Sequence, residues 1–250
     1  MIRPGLTSVT FRRLVAEEVV RWAAEARLAG IEWGGDIHVP PGDLAAARRA
    51  ADLTRAAGLE VASYGSYYRL GQEPPDLFAR VLETAIALGA PIVRVWAGRM
   101  ASDNVDAAFC AAVADDGRRI ADMASAKGLR IATEWHGNTL SDTAESASAL
   151  FNAVGHPAFR TYWQPRTNLP PEECLRDLEA ALPRLAGLHV FHWSPEGRLP
   201  LVAGEAGWKR YLAAAAGGGD MFAHLEFVIG DDPREMLSDA ATLRGWLSAI

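Results

Sequence analysis

The sequence predicts a single (β/α)8 barrel spanning residues 1–250. Three observations carry that reading. Strand-like and helix-like patterns alternate eight times, and the strand-like runs are nearly continuous in apolar residues, as parallel strands covered on both faces should be. The stretch LTSVTFRRL lacks the glycine fingerprint that usually follows the first strand of an open, doubly wound sheet. No linker or low-complexity tail interrupts the series, whose strands recur at roughly 27 to 40 residues, a spacing that fits βα units.

Leu6 to Phe11 reads as the first strand, and Val15 to Ala29 follows with apolar residues at helical spacing until Gly30. IEWGGDIHVPPGD comes next: a strand, a glycine-rich loop carrying Glu32, Asp36 and His38, then Asp43 as the cap of a helix. The pattern repeats through helix 43–57, Gly58 and strand LEVASY, then helix 75–88, Gly89 and strand APIVRVWAG. A long helical region, 103–127, leads over Gly128 to strand LRIATEW. Helix 141–154, Gly155 and FRTYWQ follow, then helix 171–182, Gly187 and LHVFHW. Helix 205–216, the break Gly217-Gly218-Gly219 and MFAHLEFVI precede a last helix, 233–249, which starts behind Asp231-Asp232. Each helix is expected to end on a glycine that tolerates the left-handed C-cap conformation.

At 50% hydrophobic composition, a chain of this length can bury a large core. A net charge of −6 and a pI near 5.5 argue against a nucleic-acid groove or an anionic membrane surface, both of which reward clustered Lys and Arg. The expected partner is a small molecule, with a homo-oligomer left open. MIRPGLTSVTF carries neither a signal peptide's apolar segment nor a membrane span, and none appears later, so a cytoplasmic location is expected. Cys110 and Cys174 sit far apart in helical runs without metal-ligand spacing; both read as small core residues in a reducing compartment.

In a barrel the carboxyl ends of the strands converge on one mouth. Those ends deliver Glu32, Asp36 and His38, then Tyr64, Tyr67 and Tyr68, then Arg94 and Trp96. The later strands bring Glu134 with His136, Trp163 with Gln164, His189 with His192 and Trp193, and Glu226 behind His224. Five of the six histidines and five of the eight tryptophans (33, 96, 135, 163 and 193) lie at or near such ends, a bias that core packing alone does not explain. Aromatic rings beside hydrogen-bonding groups suit a polyol. Two carboxylates and an imidazole from strands five, eight and seven could hold one divalent cation, Mn²⁺, Mg²⁺ or Zn²⁺. The structural alternative pairs a strand-end glutamate with Arg94, whose place inside an apolar strand requires a partner.

GIEWGGDIHVP, IATEWHGN, LHVFHW and HLEFV together resemble the xylose isomerase-like TIM-barrel superfamily, the sugar isomerases and epimerases that include relatives of D-tagatose 3-epimerase and inosose dehydratase. The resemblance covers the whole barrel. It implies a metal held by Glu at the end of strand five, Asp at strand six, His at strand seven and Glu at strand eight, with the two glutamates as acid and base. Glu134, His189 and Glu226 match the first, third and fourth ligands. Gln164 stands at the strand-six position, and Thr167 where the family places a further His. A Gln carbonyl oxygen can ligate a hard cation but removes one negative charge, so weakened or lost metal binding is expected. Asp36, His38, Trp96, His136, His192 and Arg198 are the candidate substrate contacts.

The implied activity is isomerisation or epimerisation of a ketose or keto-polyol through an enediolate, with Glu134 and Glu226 moving the proton. A dehydratase-like lyase and a metal-free sugar-binding barrel are the alternatives; a nuclease of the related barrel type lacks the ligands for further metals. Asp231-Asp232 place negative charge at the start of the last helix, where barrels often bind phosphate, so a non-phosphorylated substrate is expected.

Overall fold

Eight parallel strands close on themselves in the computed structural model, which describes residues 1–250. They are β1 (Ile2–Thr7), β2 (Gly30–Gly34), β3 (Glu60–Arg69), β4 (Ile92–Trp96), β5 (Arg130–Glu134), β6 (Phe159–Trp163), β7 (Leu185–Val190) and β8 (Met221–Leu225). Each pairs with its sequence neighbours, and β8 closes the ring on β1 with Ile2 beside Met221 and Leu6 beside Leu225. The outer layer comprises α1 (Ala16–Glu25), α2 (Leu44–Ala56), α3 (Pro75–Leu88), α4 (Ala107–Ser125), α5 (Ala144–Val154), α6 (Pro171–Ala181), α7 (Glu205–Ala215) and α8 (Pro233–Leu247). The predicted (β/α)8 architecture is therefore the observed one. No helix is long and apolar enough to cross a membrane.

Local chemistry explains the helix boundaries. Asp43, Asp106, Thr143 and Asp232 each accept a hydrogen bond from a backbone N–H of the first turn of α2, α4, α5 and α8. Pro75, Pro171 and Pro233 open their helices, where a missing N–H costs nothing. Gly89 and Gly155 end α3 and α5 with φ of 76° and 62°, as expected of left-handed caps.

Two expectations need correction. The first strand lies earlier than Leu6–Phe11: Ser8–Phe11 is a 3-10 turn. Arg3, Pro4 and Gly5 disguise the strand in sequence, but Arg3 spans the Phe222 ring at 4.2 Å and pairs with Glu60, so its charge sits at the barrel's lower rim. Gly30 and Gly187 are not helix caps but strand residues. A Cβ on Gly30 would meet the Phe222 ring at 2.7 Å, and one on Gly187 would overlap the Tyr162 ring. Both make room for aromatic packing inside the barrel. Cys174 is buried as expected, whereas Cys110 is half-buried.

Alternation along each strand stacks the barrel interior in layers. Phe222, His224 and Glu226 rise along one face of β8 and its extension, as Ala132 and Glu134 do on β5 and Ile92 and Arg94 on β4. Phe222 stacks on His224 (5.4 Å), which lies beside Tyr162 (5.7 Å). Above this aromatic plug the interior becomes charged, at the carboxyl ends of the strands.

Candidate active site and metal centre

The charged side chains of this layer come from five strands, β2, β4, β5, β7 and β8. Arg94, on β4, is almost fully buried (1% exposed) and reaches two carboxylates: its Nε donates to Glu32 Oε1 at 2.9 Å and its Nη1 to Glu134 Oε2. Gly65 on β3, paired with Arg94, leaves space for the guanidinium, since a Cβ there would lie 2.5 Å from Nη2. Ser63 Oγ donates to the other Glu32 oxygen at 2.7 Å, and Trp96 donates its indole N–H to Glu134 Oε2 at 2.7 Å. The sequence alternative that paired a strand-end glutamate with Arg94 is thus realised for Glu134, alongside its place in the site.

His189, on β7, sits at the centre with no exposure. Its Nδ1 lies 3.2 Å from Gln164 Oε1, 3.5 Å from Glu226 Oε2 and 3.6 Å from Glu134 Oε1. Its Nε2 lies 3.4 Å from Glu32 Oε1. Glu226 follows β8 directly, its backbone N–H bonded to Val190 O at 3.0 Å, which fixes its carboxylate beside β7.

Burial and charge decide the protonation of this layer. Burial opposes ionisation of Glu32 and Glu134, but Arg94 and His189 outweigh it and hold both carboxyls low. Glu226 has no such guanidinium contact; burial raises its proton affinity, helped by the charge of Glu134. Burial disfavours the His189 cation, yet Glu226, Glu32 and Glu134 push it up to about 10. His224, one layer down, is held neutral by burial and pushed down to about 3.

Glu134, His189 and Glu226 bring their ligand atoms within 4.8 Å of one another, a grouping able to hold a metal ion. The charge inventory fits a dication. Three carboxylates (Glu32, Glu134, Glu226) face one guanidinium (Arg94), leaving two negative charges unmatched when His189 is neutral. Without a metal, protons on His189 and Glu226 are drawn in to fill that deficit. Gln164 adds a carbonyl oxygen beside Nδ1 at no charge, while its Nε2 donates to Glu134 Oε1 at 3.4 Å.

A cavity of about 550 Å³ opens above this layer. Trp96, Glu134, His136, Gln164 and Glu226 line it, with Arg12, Tyr67 and Arg166 at its sides. Trp96 and His136 stack at 4.6 Å and make one wall. Tyr67 arrives by an irregularity in the β3–β4 pairing and has φ of 59°, a left-handed conformation unusual for its type. Its hydroxyl accepts from Arg12 Nη2 at 3.1 Å.

The other candidate substrate contacts are not brought to this cavity. His38 bonds Ser8 Oγ and Leu14 O, each at 3.0 Å, which commits both ring nitrogens to the loop that follows β1. Asp36 is an ion-pair partner of Arg12. His192 lines an adjoining cavity of about 210 Å³. Arg198 bonds Val228 O (3.1 Å) and Asp231, bracing the loop after β8. Of the five strand-end tryptophans, Trp33, Trp135 and Trp163 are buried, while Trp96 and Trp193 are partly open to the cavity. Sequence reasoning missed Arg12, Arg166 and the inward placement of Glu32. For Glu32 a signal existed: a carboxylate two residues into an apolar strand must find a buried cation, and Arg94 was that cation.

The barrel has many relatives in shape. The probable 3-DHS dehydratase involved in petrobactin synthesis from Bacillus anthracis superposes with a TM-score of 0.84 at 17% identity, covering 97% of this chain and 99% of that one. D-allulose 3-epimerase from Methylomonas sp. gives 0.75 at 16% identity, covering 98% and 97%. A xylose isomerase-like TIM barrel protein from Mycobacterium smegmatis, in complex with magnesium, gives 0.75 at 16% identity, covering 100% and 97%. At such identities the likeness speaks for the fold alone. No curated protein matches the chain in sequence. The family model described as xylose isomerase-like TIM barrel matches residues 20–234, most of the chain's length, and the chain belongs to that family.

Proposed function

We propose that this protein isomerises or epimerises a ketose or keto-polyol by moving a proton at the carbon beside a carbonyl, with Glu134 and Glu226 as the acid–base pair. The observation that carries this reading is the contrast between two glutamates on one cavity floor. Arg94 and Trp96 hold Glu134 as a carboxylate, whereas burial leaves Glu226 able to take up or release a proton near neutral pH. Environments that push two carboxyls apart in proton affinity assign them different roles. Glu226 is the group whose charge changes with least cost, so it removes the proton. For the proton to return on the other face, Glu226 releases its proton to cavity water and Glu134 takes one from that water and delivers it, so the proton count is unchanged.

Glu134, His189, Glu226 and the Gln164 carbonyl would hold a divalent cation, Mn²⁺, Mg²⁺ or Zn²⁺, which when bound supplies Lewis-acid polarisation of the substrate's oxygens and stabilises the enediolate. The stacked Trp96 and His136 offer a flat wall to the substrate's C–H face, and the volume suits one monosaccharide-sized polyol. A substrate without phosphate fits the start of α8, where Asp231 and Asp232 place negative charge and Asp232 already caps the helix.

The test is incubation of candidate ketoses and keto-inositols in D₂O with added Mn²⁺. Deuterium uptake beside the carbonyl, abolished in Glu226→Gln, supports the reading; no uptake across a broad panel sinks it. A second reading, loss of water from a hydroxy-ketone, is favoured by His136. Its Nδ1–H donates to Gly137 O at 2.7 Å, which leaves Nε2 as an acceptor in the same cavity, able to take the proton beside the carbonyl and pass it to the departing hydroxyl. Product analysis with one keto-inositol separates the two outcomes.

A further inference from the structure

We propose that Glu32 is a positioning residue for the metal-ligating imidazole: it orients His189 from behind and supplies the negative charge that Gln164 does not. The inference rests on the metal reading above.

Glu32 touches no part of the cavity and is 1% exposed. β2 and β7 are separated by β1 and β8 in the sheet, so the contact between Glu32 and His189 crosses the barrel interior. Both carboxylate oxygens are pinned, one by Arg94 Nε at 2.9 Å and the other by Ser63 Oγ at 2.7 Å. The oxygen that accepts from Arg94 is also the one 3.4 Å from His189 Nε2. An imidazole that ligates through Nδ1 carries its proton on Nε2 and holds its ring by donating that proton to an acceptor. Nε2 is fully buried and has no well-aligned hydrogen bond, and Glu32 Oε1 is the carboxylate oxygen within reach. The neighbouring rings of Tyr162 (5.2 Å) and His224 (6.2 Å) confine the imidazole without supplying a charge.

The charge argument points the same way. Arg94 already has one carboxylate in Glu134, so a second buried carboxylate is more than its pairing requires. With Glu32 present the layer carries two unmatched negative charges, the number a dication neutralises; without it only one remains. Glu32 thus restores to the site, one layer of atoms back, the charge that an acidic residue at position 164 would have placed against the metal.

The experiment is titration calorimetry of MnCl₂ into chelator-stripped wild type, Glu32→Gln, Glu32→Asp and the double variant Glu32→Gln/Gln164→Asp, with metal-free thermal melting of each. Wild type is expected to bind one Mn²⁺, and Glu32→Gln to bind it about 10- to 100-fold more weakly. The double variant should recover most of that loss by returning the charge at position 164, whereas a merely structural role for Glu32 would lower the metal-free melting temperature of Glu32→Gln without weakening its Mn²⁺ binding. If wild type and Glu32→Gln bind Mn²⁺ equally, the role of Glu32 is overturned while the metal site stands. If wild type binds none, the metal reading itself falls and this inference with it. Should Glu32→Gln fail to fold, Glu32→Asp decides: it keeps the charge but shortens the reach, and an unchanged affinity overturns the orienting role.

Discussion

Trp96 donates its indole N–H to Glu134 Oε2 across 2.7 Å, on the same oxygen that Arg94 holds. The two donors leave Oε1 as the oxygen directed toward Gln164 and His189. Trp96→Phe preserves a ring to stack on His136 but deletes the donor. Hydrogen bonds to charged groups contribute about 1.5 kcal/mol or more, so deuterium exchange into substrate should slow about tenfold. The melting temperature should change little because Arg94 remains. An unaltered exchange rate would show that the indole N–H does not orient Glu134.

Arg94→Met leaves Glu32 and Glu134 buried without their cation. Breaking one partner out of a buried ion pair costs about 3–5 kcal/mol, read as a lower denaturant midpoint at pH 7 in chelator. The pH dependence should reverse in sign. In wild type both carboxyls are held below their unfolded values, so their contribution is full above about pH 4.5 and is lost as pH falls through the folded values. In the variant burial is opposed by His189 without Arg94 and raises both, so stability should climb as pH drops from 7 to 5. Parallel pH profiles for the two proteins would contradict this account.

The architecture was readable in sequence because its signals are local. Gly58, Gly89, Gly128 and Gly155 punctuate the helices with positive φ, and Asp43 and Pro75 start them, all within a few residues of the boundary they set. Glu134, His189 and Glu226 were legible through their family motifs, and the structure does gather their ligand atoms. What escaped depends on distant partners. Gly34-Gly35 made Glu32 look like a loop residue, whereas β2 runs through Gly34 and turns Glu32 inward to Arg94, 62 residues away in sequence. His38 resembled a sugar contact until Ser8 and Leu14 claimed its ring. No periodicity encodes such a choice, since it depends on where the turn after β1 comes to rest.

Gln164→Asp should split metal-free from metal-bound stability. A fourth carboxylate beside Glu134 and Glu226 adds like-charge repulsion to the empty site and removes the amide that donates to Glu134 Oε1. The metal-free melting temperature at pH 7.5 should therefore fall. Added Mn²⁺ should raise it further than in wild type, because tighter binding stabilises in proportion to the logarithm of ligand concentration over Kd. Equal Mn²⁺-induced shifts in the two proteins would indicate that position 164 does not face the cation.

Asp239 offers a pH test remote from the chemistry. It lies on α8 and accepts from the Leu201 backbone N–H at 2.8 Å, and burial, with Glu235 adding to it, pushes its carboxyl up to about 6. Because the folded value exceeds the unfolded one of about 3.9, the folded state holds the proton more tightly. Its contribution is full below about pH 4 and is lost as pH rises through 6. Asp239→Asn keeps an acceptor for Leu201 while abolishing the charge. The variant should match wild type near pH 4.5 and exceed it at pH 7.5 by about 1 kcal/mol, allowing for partial solvent contact, or roughly 2–4 °C in melting temperature. A difference of the same size at both pH values would mean that the substitution acts through packing, and that the Asp239 carboxylate is not the source of the pH dependence.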